Sequence, residues 1–224
     1  MNPLNKSEKI WIAVVVGAVW GLAEALVGMY MRETPVYYLT GSIMTGIVAL
    51  LLAFGYGAIR QFRFLFISLA VVVLFKGLDA WLLHLPALHG SVGNPLFAIV
   101  LEILALVLVV NIIRPEFKSK LHGQALTGGL YALIAVSAFP LVKYFTGLPA
   151  CVVKGTIYPL SLYYSPFAIG LSMLTYPAGY FLGERLAALL SAEKPVAVTL
   201  HNRLRFLLPG TVAALLGIAI LIRL

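Results

Sequence analysis

The chain has 224 residues, of which 62% are hydrophobic and only 11% are charged. A water-soluble domain of this length carries roughly a quarter charged residues. The composition therefore excludes an ordinary soluble protein and predicts one integral membrane domain over residues 1–224, crossing the cell membrane several times. The net charge of +8 does not predict a nucleic-acid partner, because the basic residues gather between the hydrophobic segments.

Seven hydrophobic segments follow one another along the chain, each near the ~20 residues that a helix needs to cross ~30 Å of hydrocarbon. Helices are expected because lipid offers no partner for unpaired backbone groups. The seventh segment is short and terminal, so we predict an all-α transmembrane bundle of six to seven helices. The predicted helices are Ile10–Tyr30, Val36–Ile59, Phe62–Leu85, Pro95–Ile113, Gln124–Phe145, Ser165–Leu190 and Phe206–Leu224.

The distribution of basic residues predicts a cytoplasmic N-terminus. With that orientation, eleven Lys and Arg residues lie on the cytoplasmic side and four lie on the outer side. Such an excess on the inner side sets the topology of most membrane proteins. The four outer residues are Arg32, Lys143, Lys154 and Arg223.

Four ionisable residues fall inside the predicted helices, where they are costly unless paired or hydrated. They are Glu24, Lys76, Asp79 and Glu102, and we call them the polar layer. At ~1.5 Å per residue, three of them lie about 10 Å beneath the outer face, and Asp79 lies one turn closer to that face. Helices 1, 3 and 4 thus bring acidic and basic groups to the same depth.

Helix 1 also carries small residues at three- and four-residue steps, which allow a second helix to approach closely. Glu24 lies seven residues after Gly17 and therefore on the same face, so it should point at protein rather than lipid. On helix 3, Lys76 and Asp79 are three residues apart and can pair. The small-residue stripe consists of Ala13, Gly17, Gly21 and Ala25.

Two interpretations of the polar layer remain open at this point. Its members could form a plain buried ion pair with protonated, hydrogen-bonded acids beside it. Alternatively, three acids facing one base require a further positive group, which would be a proton, a cation or a cationic ligand.

The outer end of the bundle adds candidates for the same site. His84 and Asn94 are predicted substrate-binding residues beside the polar layer. Asn94 as N-cap and Pro95 as the first residue of helix 4 would leave free amides facing the site. His84, His89 and Asp79 are candidate ligands for a transition metal, although their spacing matches no recognised metal motif.

No motif assigns a cofactor to this chain. It contains no phosphate-binding glycine loop, no H-E-x-x-H and no G-x-S-x-G. Energy for any transport would therefore come from an ion gradient or from partner subunits.

The size, hydrophobicity and small-residue stripe resemble those of the substrate-binding S components of energy-coupling factor transporters. That family has about six helices, one fewer than the number of segments predicted here. The resemblance implies a ligand in the outward-facing half of the bundle, together with transmembrane and ATPase partner subunits. It also implies that Ala13, Gly17, Gly21 and Ala25 dock on the transmembrane partner.

Three functions fit these features. We favour a membrane-embedded binding or transport subunit whose outward-facing pocket takes a small cationic or metal-containing solute. A membrane enzyme could instead use Glu24, Asp79 or Glu102 as acid or base on a lipid or quinone-like substrate. The third possibility is an accessory subunit of a larger membrane complex.

Overall fold

The computed structural model describes residues 4–32, 34–86, 89–147, 149–191 and 209–221. This part of the chain is nearly all helical and contains no β-strand, which confirms the predicted all-α fold. Two 3-10 turns, Tyr37–Leu39 and Phe139–Leu141, precede α2 and α7. The helices are α1 (Lys6–Arg32), α2 (Thr40–Ile59), α3 (Phe62–Leu82), α4 (Gly90–Ile112), α5 (Pro115–Lys118), α6 (Leu121–Ala138), α7 (Val142–Thr146), α8 (Leu160–Tyr163), α9 (Ser165–Leu190) and α10 (Pro209–Leu221).

Five segments of the described chain are long and apolar enough to cross a membrane, so the protein is membrane-embedded. These segments are Lys6–Gly28, Tyr37–Ile59, Phe62–Leu82, Gly90–Ile112 and Leu121–Thr146.

The last two long helices differ from those five. The helix α9 is as long as they are but is not among the segments apolar enough to span. With 13 residues, α10 would be only about 20 Å long. The structure describes residues 209–221 of the predicted helix Phe206–Leu224. The other residues of that prediction lie outside the described chain. A sixth or seventh crossing and the cytoplasmic N-terminus stay predictions.

A proline divides the predicted helix Gln124–Phe145. The structure has α6, then the 3-10 turn that contains Pro140, then the short α7. Proline lacks the N–H needed for a helical hydrogen bond, and its ring clashes with the preceding turn.

Close glycine contacts place α9 against both α2 and α6. A Cβ atom on Gly57 of α2 would lie 2.6 Å from the carbonyl oxygen of Tyr180 in α9. Five residues before Tyr180 in α9, the Thr175 hydroxyl donates a 2.7 Å hydrogen bond to the carbonyl oxygen of Gly46 in α2. Small residues that bring backbones together are the usual basis of helix packing in membranes.

A second set of close contacts joins α1 to α3 and fixes the rotation of α1. A Cβ atom on Gly17 would lie 2.6 Å from the carbonyl oxygen of Ser68, and one on Gly21 would meet the ring of Phe75. The Ser68 hydroxyl donates a 2.7 Å hydrogen bond to the carbonyl oxygen of Ala13. Since α4 packs on α3 and α6, the three helices that carry the polar layer form adjacent pairs.

Candidate functional site

The α3 helix contributes a buried ion pair to the polar layer. Lys76 Nζ lies 3.3 Å from Asp79 Oδ2, and each side chain is only 9% exposed. The predicted pairing of these two residues is therefore present. Because both side chains are almost fully buried, each charge depends on the other for stabilisation.

Glu24 of α1 lies close enough to this pair to interact electrostatically with both Lys76 and Asp79. By surface area Glu24 is only half-buried, although its carboxyl group is enclosed by protein atoms. Trp20, one turn earlier on the same helix, is fully buried and places its indole N–H beside this carboxyl group.

Glu102 of α4 is 4% exposed and lies within electrostatic range of Glu24. Its neighbours are hydroxyl groups on two other helices, Thr45 of α2 and Tyr131 of α6. The Thr45 hydroxyl donates to the carbonyl oxygen of Gly41 at 3.0 Å. Tyr131 is fully buried, with its hydroxyl group beside the Glu102 carboxyl group.

Glu24 thus lies within electrostatic range of each of the other three members of the polar layer. Lys76 is the single cationic group among them and lies against Asp79, whereas Glu24 and Glu102 interact with each other through like charge. Two neighbouring acids cannot both carry a charge in a low-dielectric site unless something positive stabilises them. Protonation of one acid or a positive guest would each satisfy this arrangement.

The start of α4 differs from the prediction. The helix begins at Gly90, not at Pro95, and the Nδ1 atom of His89 caps it by accepting the Ser91 N–H at 3.2 Å. Asn94 and Pro95 therefore lie inside the helix, and the free amides predicted there do not exist. The capping bond of His89 outweighs the tendency of Asn-Pro to begin a helix.

Asn94 does not join the polar layer. It lies eight residues before Glu102, about 12 Å along the helix. Its amide Nδ2 is 3.5 Å from the carbonyl oxygen of Pro149, so it contacts the loop that precedes α8.

The candidate metal ligands are also not brought together. Among the residues that the structure describes, no three His, Cys, Asp or Glu side chains lie close enough to hold a metal ion. His84 is exposed and has a φ of 51°, in the left-handed turn that ends α3. There the Leu85 N–H bonds back to the carbonyl oxygen of Ala80 at 2.9 Å, the hydrogen bond of a helix C-cap. His84 and His89 thus lie at helix ends, while Asp79 faces Lys76.

The small-residue stripe is covered within the chain. Ala13 and Ala25 are at most 2% exposed, and Gly17 and Gly21 are buried against α3. The surface that the resemblance assigns to a transmembrane partner is therefore occupied by a helix of the same protein. The stripe positions Glu24 beside Lys76 instead.

A narrow crevice reaches the polar layer between α3 and α10. Phe75 and Asp79 line it from α3, and Leu216 and Ala219 line it from α10. Its volume is about 10 Å³, which is room for roughly one water molecule. Ala219 also packs with Ala18 and Phe75, so α10 covers the α1–α3 contact at this depth.

Trp20, Thr45 and Tyr131 were not predicted as members of the site. Trp20 lies four residues before Glu24 and therefore on the same face of α1, a spacing that was visible in the sequence. Thr45 and Tyr131 come from helices with no buried charge, so only the tertiary structure places them beside Glu102.

Comparisons with protein-family models, with curated proteins and with solved structures find no match for this chain. The function must therefore be argued from the geometry of the polar layer.

Proposed function

We propose that the protein is a membrane-embedded binding and transport subunit whose polar layer takes a small cationic solute. The observation that carries the proposal is the proximity of Glu24 to Glu102 while Lys76 lies 3.3 Å from Asp79. Three acids and one base leave two negative charges when all are ionised. A cationic solute supplies the missing charge at the place where two acids meet.

The same geometry favours a monovalent cation over a metal ion. Hard divalent cations take six or more oxygen ligands, and they draw several of these from carboxylates. The described residues bring no three potential metal-ligating side chains together. A monovalent cation needs fewer ligands than such a metal ion.

The polar layer lies about one turn inside the end of α3, about two thirds of the way along α1 and near the middle of α4, so a solute bound there is enclosed by the bundle. We place this site in the outward-facing half of the protein, as the distribution of basic residues predicts. Partner subunits that supply energy would need a docking surface other than the small-residue stripe.

The first test is equilibrium binding of simple ammonium salts and divalent metal salts to the purified full chain in lipid nanodiscs, measured by calorimetry. Replacing a carboxylate that contacts the cation, in Glu24→Gln or Glu102→Gln, should weaken ethylammonium binding by about 10- to 100-fold. Glu116→Gln is the matched control, since Glu116 is exposed in α5, away from the polar layer. Equal binding by all four proteins would refute the proposal, as would the absence of any cation binding.

A further inference from the structure

The connection between α4 and α6 carries basic side chains that have no partner within the described chain. Arg114, Lys118 and Lys120 lie in residues 114–122, which we call the basic loop and which include α5. None of the three side chains makes an ion pair, a hydrogen bond or a ring contact with another described residue. Glu116 is the one acid in this segment, so the basic loop has a net charge of +2 with His122 neutral.

Three other described arginines, at the end of the bundle where α3 begins, do have partners. Arg60 forms an ion pair with Glu184 of α9. Arg63 lies over the ring of its chain neighbour, and Arg185 lies 4.9 Å from the centre of the Phe181 ring. At this end, the basic loop is therefore where positive charge remains available to an external partner.

The backbone holds the basic loop firmly against the start of α6. A Cβ atom on Gly123 would collide with the carbonyl oxygen of Phe117, so this close approach requires glycine. The Gln124 side chain donates a 3.2 Å hydrogen bond to the carbonyl oxygen of Lys118. The Gln124 backbone N–H donates a 2.9 Å hydrogen bond to the carbonyl oxygen of Lys120. The basic side chains thus extend from a fixed backbone, which lowers the entropic cost of binding a partner.

An exposed apolar stripe on α4 leads directly to the basic loop. Leu104, Leu108 and Ile112 recur at four-residue steps and are all exposed, so one face of this apolar helix meets lipid. Within the basic loop, the side chains of Phe117 and Leu121 are exposed between the basic residues. A partner that matches this surface must therefore offer hydrocarbon next to a negative charge.

We infer that the basic loop binds the headgroup of an anionic phospholipid, with an acyl chain lying along the apolar stripe of α4. Arg114 can form paired hydrogen bonds with the phosphate, and Lys118 and Lys120 add positive charge beside it. Anionic lipids are concentrated in the cytoplasmic leaflet, the side on which the distribution of basic residues places this loop. No residue of the polar layer takes part, so the inference does not depend on the proposed function.

The test is lipid binding to the purified full chain in detergent micelles, measured by native mass spectrometry with phosphatidylglycerol and phosphatidylcholine as probes. The unmodified protein should bind phosphatidylglycerol about 10-fold more tightly than phosphatidylcholine. The double variant Lys118→Gln/Lys120→Gln should weaken phosphatidylglycerol binding by about 10- to 30-fold, as expected for two basic side chains beside an anionic lipid. Its binding of phosphatidylcholine should hardly change.

The double variant Arg63→Gln/Arg185→Gln is the matched control. It removes the same two positive charges at the same end of the bundle, from side chains that already lie over aromatic rings. Its affinity for phosphatidylglycerol should stay within about 2-fold of the unmodified protein. Lys120 is exposed, so the single variant Lys120→Gln, with an expected loss of about 5-fold, keeps the test valid if a double variant fails to fold.

Three outcomes would overturn the inference. Equal affinity for the two lipids would show that the headgroup charge is not recognised. Equal losses in the two double variants would show that overall charge attracts the lipid without a defined site. Glycerol phosphate carries the same anionic group without acyl chains and should not displace phosphatidylglycerol at equal concentration. Full displacement would identify a soluble anion, and not a lipid, as the occupant.

Discussion

Replacing Lys76 with methionine should lower the free energy of unfolding by about 4 kcal/mol, the usual effect of breaking a buried ion pair from one side. Asp79, 3.3 Å away, would lose its cationic partner while staying buried near the carboxyl group of Glu24. Because methionine fills a similar volume, the loss of stability measures the removal of the charge and not the creation of a cavity.

Two further variants make this prediction specific. Adding Asp79→Leu to Lys76→Met should recover most of the lost stability, because an apolar pair of similar volume can replace a buried ion pair at little cost. Lys143→Met should have almost no effect, since Lys143 is exposed at the start of α7. The free energy of unfolding of the three variants can be measured in detergent micelles, with circular dichroism as the signal. A double variant no more stable than Lys76→Met would contradict the assignment of a buried pair.

Placing valine at Gly17 should cost about 3 kcal/mol of stability, since it overpacks a contact between two backbones. A Cβ atom at this position would lie 2.6 Å from the Ser68 carbonyl oxygen and 2.8 Å from Val71 Cβ. The α1 and α3 helices must then separate, which moves Glu24 away from Lys76. We therefore expect Gly17→Val to weaken ethylammonium binding as well as to lower the melting temperature.

The same helix provides the control for this substitution. A Cβ atom on Gly28 would have nothing within 4 Å, so Gly28→Val carries the same helix propensity without the clash. Thermal unfolding and calorimetric binding of the two variants should differ clearly. Equal stability for Gly17→Val and Gly28→Val would mean that α1 does not pack on α3 through the small-residue stripe.

Much of the fold follows from the sequence because membrane helices are specified by length and hydrophobicity. The predicted helix Ser165–Leu190 matches α9 at both ends, and Pro166 and the polar residue Ser191 mark its limits. The start of α4 was mispredicted because the His89 capping bond is a local contact that competes with the Asn-Pro signal. The division of α6 from α7 shows how strongly Pro140 acts within an apolar segment.

The proximity of the polar layer residues followed from two simple quantities, depth along a helix and position on its face. Those quantities place Glu24, Lys76 and Glu102 at one level, and in the structure Glu24 lies within electrostatic range of Lys76 and of Glu102. The neighbours of Glu102 did not follow, because Tyr131 lies in an apolar helix whose rotation is set by packing on α9 and α4. Which side of the membrane the layer faces is a separate prediction, based on charge alone.

The most direct test of a cation site between Glu24 and Glu102 is an experimental structure of the full chain in nanodiscs with ethylammonium bound. We expect density for one guest, with its nitrogen about 2.7–3.2 Å from both carboxyl groups. A guest bound elsewhere, with no density between Glu24 and Glu102, would contradict this account.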